Sequence, residues 1–118
     1  MYYCRYNLGI NFRRLDEPDY AKSIAELIHA LELQPDKASC HNNLGLSYFE
    51  AQEYENAWHA FSKAIKIEPS SIHYNNRGLA HFHDNNLEWA LEDFEQAIKL
   101  DKTGDPTIYF NRGNALLS

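Results

Sequence analysis

The chain has 118 residues, of which 44% are hydrophobic and 24% charged, proportions that are ordinary for one folded domain. Its formal net charge of -6 disfavours nucleic acid as a partner, because a phosphate backbone is bound through a clustered basic surface. There is no run of about 18 apolar residues and no apolar segment of signal-peptide type, so we expect no membrane partner and no secretion, and predict a cytoplasmic location.

A motif of asparagine, one spacer residue and glycine occurs four times along the chain, at intervals of 33 to 36 residues. Self-similarity at this period predicts a repeat protein. The residues around each motif follow a helical pattern, although glycine costs a helix about 1 kcal/mol relative to alanine. The four segments are RYNLGINF (5–12), HNNLGLSY (41–48), YNNRGLAH (74–81) and YFNRGNAL (109–116).

A second segment follows each of the first three motifs, at 20–35, 54–69 and 87–102, and predicts a second helix. Each contains a small residue, a bulky apolar residue four positions later and an alanine three positions after that, which is the spacing of one helix face. Pro35 and Pro69 are expected to end the first two of these helices. The triplets are Ser23, Leu27 and Ala30; Ala57, Phe61 and Ala64; and Ala90, Phe94 and Ala97.

These two-helix units resemble the tetratricopeptide repeat (TPR) family, whose pattern of roughly 34 residues has Leu-Gly at positions seven and eight, tyrosine at eleven and alanines in the second helix. The resemblance implies an all-α, right-handed superhelical solenoid of antiparallel helix hairpins, forming a single domain over residues 1–118. Because the last predicted helix has no partner helix, we expect the chain to be a fragment of a longer protein. The predicted units are three full repeats at about 2–37, 38–70 and 71–105, and the first helix of a fourth at 106–118.

The glycine of each motif has a packing role in such a hairpin. A residue without a side chain lets the second helix approach the first closely, and the alanines of the second helix act in the same way from the other side. Packing thus offsets the helix propensity that glycine lacks. The four glycines are Gly9, Gly45, Gly78 and Gly113.

The asparagine of each motif is a candidate ligand contact. In TPR proteins the first helix of each repeat lines a concave groove, and the resemblance implies that this position faces it. A side-chain amide offers both a donor and an acceptor, so a row of amides can bond the backbone of an extended peptide. Alternatively, these residues serve only the helix and the hydrogen bonds between repeats. The four are Asn7, Asn43, Asn76 and Asn111.

The resemblance also implies an apolar stripe along the same groove. An exposed contiguous apolar patch usually marks an interaction site. The alternative is that Phe49 and Phe82 tuck between neighbouring first helices and are mostly buried. The residues of the stripe are Tyr6, Ile10, Leu46, Phe49, Leu79, Phe82 and Phe110.

One class of partner can be compared position by position. Co-chaperone TPR domains grip the acidic C-terminal tails of heat-shock chaperones with a two-carboxylate clamp of lysines, asparagines and an arginine. In this chain only the asparagine is matched, at Asn43 or, one repeat later, at Asn76. Without the cations, the charge-assisted hydrogen bonds to a carboxylate are lost. We therefore do not expect heat-shock chaperone tails to be partners.

The sequence contains no catalytic or metal-binding motif that we could identify. His81 and His83 are two residues apart, so they point about 200° apart on a helix and cannot share a metal. Cys4 and Cys40 occupy the same position in successive predicted repeats. We expect them to be reduced thiols, because neighbouring helices lie about 8–10 Å apart and a disulfide needs Cα atoms within about 7 Å. We therefore expect no enzyme activity and no cofactor.

The function predicted from the sequence is a non-catalytic scaffold for protein-protein interaction that binds a peptide segment of a partner protein in its groove. Two alternatives stay open. One is a solenoid segment that self-associates through residues 106–118. The other is the substrate-selecting arm of a larger enzyme.

Overall fold

The computed structural model describes residues 20–117, and these residues form six α-helices and no β-strand. None of these helices is long and apolar enough to cross a membrane. The predicted all-α class is confirmed. The helices are α1 (Tyr20–Leu33), α2 (Ala38–Glu50), α3 (Tyr54–Ile67), α4 (Ser71–His83), α5 (Leu87–Leu100) and α6 (Pro106–Leu117).

Each helix packs against the next one along the chain, through connections of three to five residues. Connections this short place consecutive helices antiparallel. In addition, α2 contacts α4, and α4 contacts α6. The first helices of successive hairpins therefore lie side by side, which confirms the predicted solenoid of hairpins. The side of the stack formed by α2, α4 and α6, directed away from α3 and α5, is called the inner face below.

Part of the first predicted repeat lies outside the described residues. Tyr6, Asn7 and Ile10, three of the predicted site residues, belong to that part, as does Gly9. The exact repeat boundaries and the expectation that the chain is a fragment stay predictions.

Two turns of the same form connect α2 to α3 and α4 to α5. Gln52 and Asn85 each have φ of 65°, in the left-handed region. The backbone N–H that follows each of them donates to the carbonyl five positions earlier, at 2.9 Å after Gln52 and 2.8 Å after Asn85. Because the turns match, both hairpins present their helices in the same relative orientation.

Two phenylalanines in the second helices form the centre of the core. The rings of Phe61 and Phe94 are fully buried, and a Cβ on the opposing glycine would lie 2.5 Å from Phe61 at Gly45 and 2.6 Å from Phe94 at Gly78. The predicted close approach is therefore present in both hairpins. Gly113 differs, since a Cβ there would meet nothing within 4 Å.

Cys40 departs from the expectation drawn from the sequence. Its side chain is fully buried beside Ala30, and its sulfur is bonded in a disulfide. The expectation of a reduced thiol is therefore wrong for Cys40, whereas Cys4 lies outside the described residues. That expectation used the distance between helix axes, but Cα atoms lie about 2.3 Å from the axis, so facing positions on neighbouring helices can come within disulfide range.

Candidate functional site

Asparagines on neighbouring helices of the inner face are hydrogen-bonded to each other in pairs. Asn76 Nδ2 on α4 donates to Asn42 Oδ1 on α2 at 2.9 Å. In the same way, Asn111 Nδ2 on α6 donates to Asn75 Oδ1 on α4 at 3.0 Å. Each donor is the asparagine of an asparagine-x-glycine motif, and each acceptor is the residue directly before that asparagine in the preceding repeat. We call these two contacts the amide pairs.

The amide pairs clarify the role of the motif asparagines. Asn76 and Asn111 each use an amino proton between repeats, so the alternative of inter-repeat hydrogen bonding holds for these two residues. Asn43 is buried, and the position that would accept from it is Tyr6, outside the described residues. A ligand contact by Asn43, Asn76 or Asn111 stays a prediction.

The acceptor asparagines, Asn42 and Asn75, were missing from the candidate site residues predicted from the sequence. Both are half-buried, and within the described residues the amino group of each has no hydrogen-bond partner. Each amide pair therefore retains donor protons on its acceptor residue and a carbonyl on its donor residue. The doubled asparagine in HNNLG and YNNRG was the sequence signal for these residues.

The apolar stripe is less open than predicted. Leu46 and Phe49 are half-buried and pack on the cluster around Phe61. Leu79 and Phe82 are also half-buried and pack on the corresponding cluster of the next hairpin. Burial was the alternative left open by the sequence for Phe49 and Phe82, but not for Leu46 and Leu79.

Phe110, the remaining described member of the stripe, is 68% exposed on α6. It occupies the position that Asn42 and Asn75 have on the two preceding helices. The inner face therefore has amide pairs over α2, α4 and α6, half-buried apolar side chains beside them, and one open aromatic ring on the last helix.

A cluster of aromatic rings closes one edge of the inner face. His83 lies at the end of α4, and its ring stacks on Tyr54 with 5.2 Å between centroids. Phe49 packs edge-on against both of these rings, at 5.1 and 5.3 Å. These contacts fix the orientation of His83 at the rim. Among residues 20–117 there is no group of three side chains that could hold a metal ion.

An ion pair that sequence reasoning missed connects α4 to α5 on the side away from the inner face. Arg77 Nε and Nη2 donate to the two carboxylate oxygens of Asp93 at 2.8 and 2.7 Å, and Nη1 donates to Ser62 Oγ at 3.1 Å. Burial alone would lower the pKa of Arg77, but the hydrogen bonds and charge of Asp93 raise it above its ordinary value. The guanidinium therefore stays charged and holds α4 to α5.

His81 lies beside this ion pair and is only 4% exposed. Its Nε2 atom is 3.6 Å from Asp93 Oδ2, while its Nδ1 atom is buried without a hydrogen-bond partner. Burial lowers the pKa of His81 below its ordinary value, against the opposing effect of the Asp93 charge. His81 is therefore a neutral packing residue near pH 7.

Comparisons with known proteins agree with this architecture. The profile of the tetratricopeptide repeat family matches residues 38–71 and 72–103, more than half of the chain. No curated protein sequence matches the chain significantly.

Solved structures with the same fold include several TPR domains. The second TPR domain of human RPAP3, in complex with the HSP70 peptide SGPTIEEVD, has a TM-score of 0.87 at 23% identity, over 96% of this chain and 92% of that one. The second TPR of Spaghetti (RPAP3), bound to the HSP90 peptide SRMEEVD, has a TM-score of 0.75 at 26% identity, over 82% and 89%. The Sgt2 TPR domain from Aspergillus fumigatus has a TM-score of 0.83 at 20% identity, over 96% and 73%.

These comparisons overturn one expectation drawn from the sequence. Heat-shock chaperone tails were not expected as partners because the lysines and arginine of the clamp are missing. That inference was wrong, since structures similar to this chain include TPR domains bound to HSP70 and HSP90 peptides. Its physical weakness was to treat a few cationic positions as the whole site. A carboxylate can also accept hydrogen bonds from amide groups, which the inner face supplies.

Proposed function

The chain belongs to the tetratricopeptide repeat family, and we propose that it is a protein-interaction module whose inner face holds an extended peptide segment of a partner protein. The observation that carries this proposal is the two amide pairs. Each offers free donor protons on one asparagine and a free carbonyl on the other. An extended peptide needs the same complement from its binding site, because each of its residues has one N–H and one C=O.

The spacing of the amide pairs suits an extended peptide. Neighbouring packed helices lie about 8–10 Å apart, and an extended chain advances about 3.3 Å per residue. Successive amide pairs would therefore meet a peptide at about every third residue. Between these contacts, the peptide side chains would lie against Leu46 and Leu79, with Phe110 available at the last helix. Such a site grips the backbone and uses the apolar positions for selectivity.

An acidic C-terminal peptide is the first ligand to test. The second TPR of Spaghetti, 26% identical to this chain, is bound to the HSP90 peptide SRMEEVD. Here the clamp cations are absent from the described inner face, so we propose that the amino groups of Asn42 and Asn75 take over part of the carboxylate binding. Neutral donors bind a carboxylate less tightly than cations do. We therefore expect this chain to bind the peptide more weakly than a TPR domain that has the clamp cations, and we expect its affinity to depend less on salt concentration.

The experiment measures binding of fluorescein-labelled SRMEEVD and SGPTIEEVD by fluorescence anisotropy, against scrambled and C-terminally amidated versions. Asn42→Ala and Asn75→Ala each remove open donors, and together they should weaken binding about tenfold or more, since each lost hydrogen bond contributes about 0.5–1.5 kcal/mol. Asn56→Ala is the matched control, because Asn56 lies on α3 and bonds only the exposed Glu53 within the described residues.

The Asn76→Ala variant separates stability from binding. It removes the hydrogen bond to Asn42 as well as one open carbonyl, so both the free energy of unfolding and the affinity should decrease. Asn42→Ala and Asn75→Ala together break both amide-pair bonds and also remove the open donors, so they should lower the free energy of unfolding more than Asn76→Ala does and also weaken binding more, when affinity is measured at a temperature at which every variant is folded. If the double variant binds as tightly as the wild type, the amide pairs are structural only and the proposal is wrong.

We also propose that the module has no catalytic activity of its own and acts in the cytoplasm. The proposal of no catalytic activity is supported by membership of the TPR family and by the similar solved structures, which include domains bound to peptides. The cytoplasmic location rests on the sequence alone and stays a prediction, and the disulfide at Cys40 counts against it, because disulfides are rare in the cytosol.

A further inference from the structure

An exposed tryptophan lies on α5 at a position where the hairpin does not require one. Trp89 is 52% exposed, although tryptophan is highly buried on average in folded proteins. The preceding hairpin has the exposed Asn56 at the same position of its second helix. An indole ring at this position is therefore not needed for the packing of a hairpin.

Two aromatic neighbours hold the Trp89 ring in place. Trp58 on α3 packs against it in an edge-to-face arrangement with 6.0 Å between ring centroids, and His81 on α4 does the same at 5.3 Å. Trp58 Nε1 donates to Asp84 Oδ2 at 3.2 Å, which fixes that ring in turn. Trp89 therefore faces the preceding repeat, and the exposed half of its ring has a defined orientation between α3 and α5.

The surroundings of Trp89 are acidic. Residues 84–98 include five carboxylates and no lysine, arginine or histidine. Glu88 and Glu92 are exposed on either side of Trp89 in the sequence, and neither forms an ion pair within the described residues. An aromatic ring face and nearby carboxylates both attract a cation. A cavity of about 290 Å³ opens beside the ring and is lined by Asn85, Asn86, Leu87, Glu88 and Trp89.

The chain itself contains an arginine between an aromatic ring and a carboxylate. The Arg77 guanidinium lies 5.5 Å from the centre of the Tyr74 ring, and two of its nitrogens donate to the Asp93 carboxylate at 2.7 and 2.8 Å. Trp89 and Glu88 both border the cavity and offer the same two groups. Within residues 20–117, no guanidinium lies over the Trp89 ring.

We propose that Trp89, Glu88 and Asn85 form an arginine-binding site, the α5 site, which takes a guanidinium group from a basic segment of a partner protein. The guanidinium stacks on the exposed Trp89 ring and donates to the Glu88 carboxylate and to the side-chain carbonyl of Asn85, whose amide has no hydrogen-bond partner within the described residues. Arginine fits better than lysine, because its head group is planar, weakly hydrated and able to stack. Helix α5 is not part of the inner face, so this inference does not depend on peptide binding there.

The test uses the full chain and the peptide acetyl-GRRGRG-amide, with a lysine version and a citrulline version as comparisons. Citrulline keeps the shape of arginine and removes its charge. The chain has two tryptophans, so its ¹⁵N–¹H spectrum has two indole N–H signals, and the Trp89→Asn variant identifies that of Trp89. The Trp89 signal should shift saturably with the arginine peptide. The lysine peptide should bind about threefold more weakly or worse, and the citrulline peptide should cause no shift.

Two variants separate the aromatic contribution from the charge. Trp89→Leu keeps an apolar side chain without an aromatic face and should weaken binding about fivefold, and Glu88→Gln should weaken it about threefold. Both residues are exposed, so both variants should keep the fold, which circular dichroism checks. Glu32→Gln is the matched control, because it makes the same charge change on an exposed residue of α1 and should bind like the wild type.

Three outcomes would overturn the proposal. If the Trp89 signal does not shift, or if Trp89→Leu and Glu88→Gln bind like the wild type, the α5 site does not bind the peptide. If the lysine peptide binds equally well, the acidic surface attracts cations without recognising a guanidinium. If the peptide shifts the side-chain amide signals of Asn42 and Asn75 instead, it enters the inner face, which removes the α5 site but leaves the proposed function standing.

Discussion

Removing Arg77 alone should destabilise the protein, whereas removing Arg77 and Asp93 together should not. The Asp93 side chain is 5% exposed and that of Arg77 is 24% exposed. In an Arg77→Leu variant, the carboxylate stays buried with His81 Nε2 at 3.6 Å as its nearest ionisable neighbour. Removing one partner of a buried ion pair costs about 3–5 kcal/mol. The partial exposure of Arg77 favours the lower end, about 3 kcal/mol, or roughly 12 °C in Tm for a domain of this size.

The double variant Arg77→Leu/Asp93→Ala reproduces a pairing that the chain already uses. Leu44 and Ala60 pack at the corresponding positions of the preceding hairpin without any charge. Replacing a buried ion pair by apolar residues is often neutral or stabilising. We therefore expect the double variant to lie within about 1 kcal/mol of the wild type, well above the single variant.

Urea unfolding followed by far-UV circular dichroism measures both free energies, provided that the slope with denaturant is unchanged. The double-mutant cycle then gives the coupling between Arg77 and Asp93. If Arg77→Leu unfolds at the same urea concentration as the wild type, the ion pair contributes nothing to the fold. If the double variant is as unstable as the single one, the two hairpins do not share interchangeable packing, and the reasoning is refuted.

Three further predictions concern stability. Gly45→Ala and Gly78→Ala should each lower the free energy of unfolding, measured with urea. Overpacking on a phenylalanine ring should cost about 1–3 kcal/mol, and the higher helix propensity of alanine should offset about 1 kcal/mol of that cost. Gly113→Ala should instead stabilise by up to about 1 kcal/mol, because its Cβ meets nothing; equal effects at all three glycines would contradict this account. Burial lowers the pKa of His81, so the stability contributed by its neutral form is complete above about pH 6.5 and is lost as the pH falls toward the folded-state pKa. The preceding hairpin has Tyr48 at this position, so His81→Tyr should reduce the loss of stability between about pH 8 and 5.5. An unchanged loss of stability in this variant would contradict the role assigned to His81.

The helices and their hairpin packing could be predicted from the sequence because they depend on local periodicity. The contact of Gly45 with Phe61, for example, follows from a residue without a side chain and a bulky residue at fixed positions in each unit. Such patterns recur with the repeat, so the two described hairpins support each other. The family pattern also placed Phe49 and Phe82 correctly on the first helices.

The candidate site was predicted less completely because its contacts join different repeats. The bond from Asn76 to Asn42 spans 34 residues, and periodicity within one helix carries no information about it. For this reason the sequence left open whether the asparagine row contacts a ligand or bonds between repeats, and Asn42 was not included among the candidate site residues. The bond from Arg77 to Asp93 was missed for a similar reason, since the preceding hairpin has uncharged residues at these positions.

The most direct test of the proposed function observes the asparagine side chains themselves. In ¹⁵N–¹H spectra, the side-chain amide signals of Asn42 and Asn75 should shift saturably when SRMEEVD or another bound peptide is added, and that of Asn56 on α3 should not. Peptide binding that leaves Asn42 and Asn75 unchanged, and shifts signals on α3 and α5 instead, would contradict a binding site on the inner face.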